Sequence, residues 1–85
     1  MTITILFFAG LREALGAGRE ALTLPEGMAN VGALRAHLAA RGGVWAEHFA
    51  STRNLRAAVN QDMVGLDAPL HAGDEVAFFP PVTGG

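Results

Sequence analysis

The sequence predicts an α+β fold, a roll in which a mixed β-sheet packs on one main helix. Near one end of the chain, Ile3, Ile5 and Phe7 alternate with threonine and leucine, and near the other Val76 and Phe78 share a face. Apolar residues at helical spacing lie between these two alternating segments. A chain of 85 residues that is 51% hydrophobic and 16% charged is typical of one small globular domain.

Each element follows from its local pattern. Strands are predicted over residues 2–8, 20–24, 55–60, 63–66 and 74–79. A short helix over residues 10–15 ends at Gly16, and the main helix over residues 31–41 begins after Asn30 as its cap. Residues 44–49 add one or two helical turns. Because a helix-containing connection separates the first and last strands, we expect them to lie side by side and parallel.

Charge and composition exclude several classes of partner. The net charge is −2 and the chain has no cluster of basic residues, which argues against nucleic acid. The apolar N-terminus lacks the basic segment and cleavage site of a signal peptide, and it is too short to cross a bilayer. We therefore expect no membrane association and a cytoplasmic location.

The chain contains neither cysteine nor lysine. Without cysteine it can form no disulfide, thiolate metal site or cysteine nucleophile. The lack of lysine has two explanations. One is a genome that prefers arginine codons, and the other is avoidance of nucleophiles that would attack an activated C-terminus.

The body of the chain predicts no independent catalytic site. His37, His48 and His71 lie on different predicted elements without acidic partners at ligand spacing, so we expect no metal. Ser51 lacks the context of a nucleophile elbow. The glycines of residues 16–21 loosely match a dinucleotide fingerprint, but a helix precedes them and a strand follows, so they indicate a turn. No bound cofactor is expected.

Two phenylalanine doublets predict an exposed apolar surface. If Phe7 and Phe78 face the main helix, Phe8 and Phe79 point outward on adjacent strands. Met63, on the preceding hairpin, is placed to join them. Such a surface on a small protein usually marks a contact with a partner. The alternative is that loops cover this face.

The chain ends in "FFPPVTGG", and residues 80–85 are predicted to form an extended, flexible tail after a domain of residues 1–79. Pro80 and Pro81 favour an extended path, and Gly84 and Gly85 have no side chains that would block entry into a narrow channel. The Gly85 carboxylate is inert until a nucleotide activates it, and the chain has no phosphate-binding loop. The tail is therefore predicted to present its carboxyl group to other enzymes.

The chain resembles the sulfur-carrier small subunits of molybdopterin synthases, members of the β-grasp (ubiquitin-like) family. The stretches that carry the resemblance are ILFFAGLREALG, LRAHLAARG, LRAAVNQDMV and GDEVAFFPPVTGG, of which the last is the most specific. The resemblance implies a β-grasp fold.

It also implies a mechanism and a set of partners. An E1-like enzyme consumes ATP to adenylate the Gly85 carboxylate, and a sulfurtransferase or cysteine desulfurase system turns it into a thiocarboxylate. The tail then enters the large subunit of the synthase, in a heterotetramer, and passes sulfur to cyclic pyranopterin monophosphate. The implied reacting residues are Gly84 and Gly85. The implied partner-binding residues are Phe8, Arg12, Met63, Phe79, Pro80, Pro81, Val82 and Thr83.

Other interpretations stay open. A related carrier could serve thiamine synthesis or tRNA thiolation, although the proline pair favours molybdopterin over thiamine. A ubiquitin-like modifier would instead be joined through Gly85 to lysines of other proteins. A plain docking module would not need Gly85 at all.

Overall fold

A computed structural model describes residues 1–81, which form five strands and three helices. The elements in chain order are β1 (Thr2–Phe7), α1 (Gly10–Leu15), β2 (Arg19–Thr23), α2 (Val31–Ala39), α3 (Gly43–Phe49), β3 (Arg56–Val59), β4 (Asp62–Val64) and β5 (Glu75–Phe79). All the predicted elements are present, and no bound differs from its predicted position by more than two residues.

The five strands make one mixed sheet in the order β2-β1-β5-β3-β4. β1 and β5 are parallel, as predicted, and Ile5 lies opposite Val76 and Phe7 opposite Phe78. The pairs β1–β2, β3–β4 and β3–β5 are antiparallel. The sheet is thus two hairpins joined by β5, which is its central strand.

The core lies between one face of this sheet and the helices. Phe7 and Phe78 are buried and meet Phe49 of α3 edge to face, with ring centroids 6.1 and 5.3 Å from that of Phe49. Trp45 stacks on Phe49 at 5.8 Å. α2 adds the buried side chains of Val31, Leu34 and Leu38, so aromatic residues fill one end of the core and aliphatic residues the rest.

The main helix begins at the predicted cap and ends earlier than predicted. The Asn30 side chain accepts a hydrogen bond from the backbone N–H of Ala33 at 2.8 Å. At the other end, the N–H groups of Arg41 and Gly42 bond to carbonyls three residues back, which tightens the last turn. Gly42 then has φ 79°, a left-handed conformation that suits glycine, and α3 starts at the next residue.

A buried arginine holds the connection from α3 to β3. Arg35 of α2 is only 8% exposed. Its Nε donates to the carbonyl oxygen of Phe49 at 3.1 Å, and its Nη2 donates to the carbonyls of Ala50 and Arg53. Burial lowers the pKa of this guanidinium from its usual value. Three backbone carbonyls, at the end of α3 and in the loop that follows it, therefore share a single donor side chain.

None of the helices within residues 1–81 has the length and hydrophobicity that a membrane span needs.

Candidate functional site

The face of the sheet that points away from the helices carries a row of four apolar side chains. Leu6 of β1 lies opposite Ala77 of β5, Ala77 lies opposite Ala58 of β3, and Ala58 lies opposite Met63 of β4. Because the two middle residues are alanines and the outer two are longer, the row is low in the centre and raised at its ends.

Phenylalanine and proline side chains deepen this shape at the end of the sheet where β5 finishes. Phe8, Phe79 and Pro80 line the same depression as the four residues of the row. Its volume is about 530 Å³, and Gln61 and Glu75 are the polar residues on its wall. We call this feature the apolar depression. It combines a wide apolar floor with few polar groups, which is typical of a surface that binds another protein.

Four of the predicted partner-binding residues lie together on one surface. Phe8 and Met63 are 48% and 58% exposed, so no loop within residues 1–81 buries them. Phe79 is partly buried and Pro80 is exposed, and both line the apolar depression together with Phe8 and Met63. Pro81 follows without lining it.

Arg12 lies apart from this group. It is on α1, and it faces a separate hollow formed with Gly16, Ala17 and Gly18. Its Nε lies 3.1 Å from the place where a Cβ on Gly18 would be, so Gly18 makes room for this side chain. The predicted residues Val82, Thr83, Gly84 and Gly85 lie outside the part of the chain that the structure describes.

Three of the four residues of the row were missed at the level of sequence: Leu6, Ala58 and Ala77. Strand alternation places all three on the outer face, but neither alanine has a side chain that signals a binding surface. Ala58 is only 6% exposed although it faces outward, because Ala77 and Met63 stand on either side of it. They are identified only by the register between paired strands, and that register cannot be inferred from any one segment of the sequence.

The backbone turns sharply beside Phe8. Ala9 has φ 53° and ψ −130°, a conformation that residues with a Cβ rarely adopt. Ala9 also lines the apolar depression and precedes the first residue of α1. Phe8 and Ala9 therefore form the short connection between the end of β1 at Phe7 and the start of α1 at Gly10.

A second hollow borders Pro80 on the other side. It has a volume of about 550 Å³ and is lined by Gly10, Leu11, His48, Thr52, Arg53, Asn54, Leu55 and Pro80. The start of the tail thus runs between the apolar depression and a more polar hollow.

Across residues 1–81, no three side chains of His, Asp or Glu come together as a metal site would require.

A mixed sheet with parallel central strands β1 and β5, two flanking hairpins and a main helix on one face is the β-grasp, or ubiquitin-like, arrangement. The sequence matches the model of the ThiS family over residues 5–85, and the chain belongs to that family. The family resemblance and the β-grasp fold predicted from the sequence are confirmed.

Known proteins similar to the chain include two sulfur carriers. It is 49% identical over 83 residues to the molybdopterin synthase sulfur carrier subunit of Escherichia coli (strain K12), an alignment that covers 98% of this chain and 99% of the relative. It is 42% identical to the protein of the same name from Haemophilus influenzae, and that alignment also covers 98% of this chain and 99% of the relative. The crystal structure of SAMP1, a small archaeal modifier protein from Haloferax volcanii, superposes with a TM-score of 0.79 at 27% identity and covers 100% of both chains.

Proposed function

We propose that this chain is a sulfur carrier of molybdenum cofactor biosynthesis and that it acts as the small subunit of molybdopterin synthase. The observation that carries the proposal is the apolar depression, which is lined by Phe79 at the end of β5 and by Pro80 at the start of the tail. A partner bound there receives the following residues, including Gly85, directly into its own active site. The two relatives named as sulfur carrier subunits support this assignment.

The proposed chemistry takes place on the Gly85 carboxyl group. An oxygen of the carboxylate attacks the α-phosphate of ATP on an E1-like enzyme, which forms an acyl adenylate and releases pyrophosphate. A persulfide sulfur supplied by a sulfurtransferase or cysteine desulfurase system then displaces AMP, and reduction of the resulting acyl disulfide by a thiol leaves the thiocarboxylate. This chain holds no cofactor in the proposal, since the activating enzyme binds and consumes the ATP.

The thiocarboxylate is suited to transfer because its sulfur is ionised at neutral pH and polarisable. In the large subunit the sulfur forms a C–S bond to a carbon of cyclic pyranopterin monophosphate while a C–O bond at that carbon breaks and the oxygen leaves with the electron pair. Water then cleaves the acyl–sulfur bond, which regenerates the Gly85 carboxylate and leaves the sulfur on the substrate. A dithiolene needs two sulfurs, so two tails that each carry a thiocarboxylate must be used. The apolar depression must therefore release its partner between rounds, which favours a contact of modest size.

Intact mass tests the proposal. The chain is incubated with an E1-like activating enzyme, ATP and a sulfur source, and its mass is then measured. The expected product is heavier by the difference between one sulfur and one oxygen, and it forms molybdopterin when the large subunit and cyclic pyranopterin monophosphate are added. A chain that is adenylated but never gains sulfur would contradict the carrier function.

The likeness to a small archaeal modifier protein favours one second candidate, a protein modifier. In that function a lysine amine of another protein takes the acyl group, and an isopeptide bond replaces the thiocarboxylate. The same activation in a lysate distinguishes the two candidates. A modifier produces covalent adducts that survive thiols and denaturant, whereas a carrier produces thiocarboxylate and no adducts.

A further inference from the structure

The cationic side chains near the start of the tail are arginines. Arg53 lines the hollow that Pro80 borders, and Arg56 lies directly opposite Phe79 in the sheet. Both are exposed. Within residues 1–81, the carboxylates that lie beside basic side chains are Glu20 next to Arg41 and Asp74 next to His71, so neither Arg53 nor Arg56 is held by an acid there.

Arginine and lysine carry the same charge but differ as nucleophiles. A guanidinium stays protonated at any ordinary pH, and its lone pairs are delocalised. A lysine amine has a pKa near 10.4, so a small fraction is always free to attack a carbonyl. When such an amine is tethered beside an activated acyl group, its effective concentration reaches values that no external amine attains.

The α-amino group of Met1 is too distant to act in this way. Because β1 and β5 are parallel and Phe7 lies opposite Phe78, Met1 is six residue steps below that level and Pro81 is three above it. At about 3.3 Å per residue the separation is about 30 Å. The four residues after Pro81 extend by at most about 14 Å, so Gly85 cannot reach Met1.

We propose that the surface within reach of the tail is kept free of amines, so that the activated Gly85 carboxyl group is not captured by its own chain. The inference rests on the proposed function and extends it. The reaction that is prevented is attack of an amine nitrogen on the acyl adenylate: a C–N bond forms, the C–O bond to phosphate breaks, AMP leaves with the electron pair, and the amine loses a proton to solvent.

The chain has six arginines and no lysine. At positions 53 and 56, beside Pro80 and Phe79, positive charge is therefore supplied by a side chain that stays protonated and does not attack the acyl adenylate. The hollow that Pro80 borders also contains the imidazole of His48, a nitrogen nucleophile of a different kind. An acyl-imidazole hydrolyses in water, so reaction there returns the carboxylate and does not trap the tail.

The test adds an amine without changing the charge. Arg53→Lys and Arg56→Lys are compared with the wild-type chain and with Ala72→Lys, which places a lysine on an exposed turn at the far end of β5. A lysine side chain adds about 6 Å to the reach of the tail, so Ala72→Lys stays beyond it. Each chain is incubated with the activating enzyme and ATP, without a sulfur source, at about pH 8.5, where more of the amine is free.

Arg53→Lys and Arg56→Lys are expected to accumulate an AMP-free product lighter than the starting chain by one water, at about ten times the level in the wild-type chain or more. Peptide mapping should place the isopeptide bond between Gly85 and the introduced amine. Ala72→Lys should behave as wild type. Labelling with an amine-reactive ester checks that all the introduced amines are accessible.

Two results would overturn the inference while the proposed function stands. One is normal adenylation and sulfur loading of Arg53→Lys and Arg56→Lys with no more dehydrated product than in the wild-type chain. The other is an equal amount of dehydrated product from Ala72→Lys. If no chain gains AMP or sulfur, the proposed function fails, and this inference fails with it.

Discussion

The side-chain amide of Asn60 donates a hydrogen bond to the carboxylate of Asp74 at 3.0 Å, and this contact joins two turns at the end of the sheet opposite the tail. The same Asn60 side chain accepts from the N–H of Glu75 at 3.0 Å, and Asp74 accepts from the N–H of His71 at 2.8 Å. The β3–β4 turn and the start of β5 are therefore tied together by side chains 14 residues apart.

Stability should depend on the ionisation of Asp74. The N–H of His71, and then the amide of Asn60, hold the pKa of this carboxyl below its usual value. A carboxylate of this kind stabilises the fold fully above its unfolded pKa of about 3.9, and the contribution is lost as the pH falls through the lower folded pKa. Asp74→Asn should lower the urea midpoint at neutral pH, and the gap to wild type should narrow below about pH 4. Glu26→Gln, at an exposed loop position, serves as the control. A gap that does not change with pH would rule out this account.

Arg35→Met should destabilise the fold more than Arg41→Met. Removing Arg35 leaves the carbonyls of Phe49, Ala50 and Arg53 without their donor, which is expected to lower the free energy of unfolding by about 2–4 kcal/mol. Arg41 pairs with Glu20 and stacks over Trp45 in a more exposed setting, so its loss should cost about 1 kcal/mol. Urea unfolding at neutral pH measures both. Equal losses of unfolding free energy would show that the hydrogen bonds of Arg35 stabilise the fold no more than the Arg41–Glu20 pair does.

Met63→Asp should weaken binding of the large subunit by about tenfold or more, because it places a charge in the apolar depression. Leu66→Asp is a matched control three residues away, since Leu66 is 54% exposed and Met63 58%, but Leu66 lies outside the depression. Phe79→Asp should act as Met63→Asp does. Titration calorimetry with the isolated large subunit gives the affinities. Similar losses for Met63→Asp and Leu66→Asp would argue against this docking surface.

Deletion of Gly85 should separate docking from chemistry. The shortened chain keeps all of residues 1–81 and should bind the large subunit within about twofold of the full chain. It should form no molybdopterin, because the carboxyl group is displaced by one residue, about 3.5 Å, from the reacting position. Molybdopterin formation by this variant would refute the assignment of Gly85 as the sulfur donor.

Sequence alone predicted those parts of the molecule that depend on local periodicity. Period-two alternation in β1 and β5 was enough to bury Phe7 and Phe78 and to expose Phe8, because neighbouring residues of a strand must face opposite sides. Asn30 was identified as a helix cap from its residue type and position. The predicted end of the main helix was two residues too late, since apolar spacing does not show where the last turn tightens.

What the sequence did not reveal depends on contacts between distant segments. Arg35 was absent from the predicted core because arginine is rarely buried without partners, and its partners are backbone carbonyls that no residue type marks. Ala58 and Ala77 became part of the apolar depression only through the pairing of β3 with β5. The partner-binding roles of Phe8, Arg12, Met63, Phe79 and Pro80 stay predictions, as do those of Pro81 and residues 82–85.

The central position of β5 has a consequence for how the protein is made. One hairpin, β1–β2, is synthesised first and the other, β3–β4, much later, and neither touches the other except through the strand that is translated last. A two-stranded hairpin is marginally stable alone. A nascent chain therefore cannot complete its sheet until residues 75–79 have left the ribosome, so a product that terminates before β5 lacks both Gly85 and a stable fold. Such products should be removed by proteolysis and should not compete for the partner.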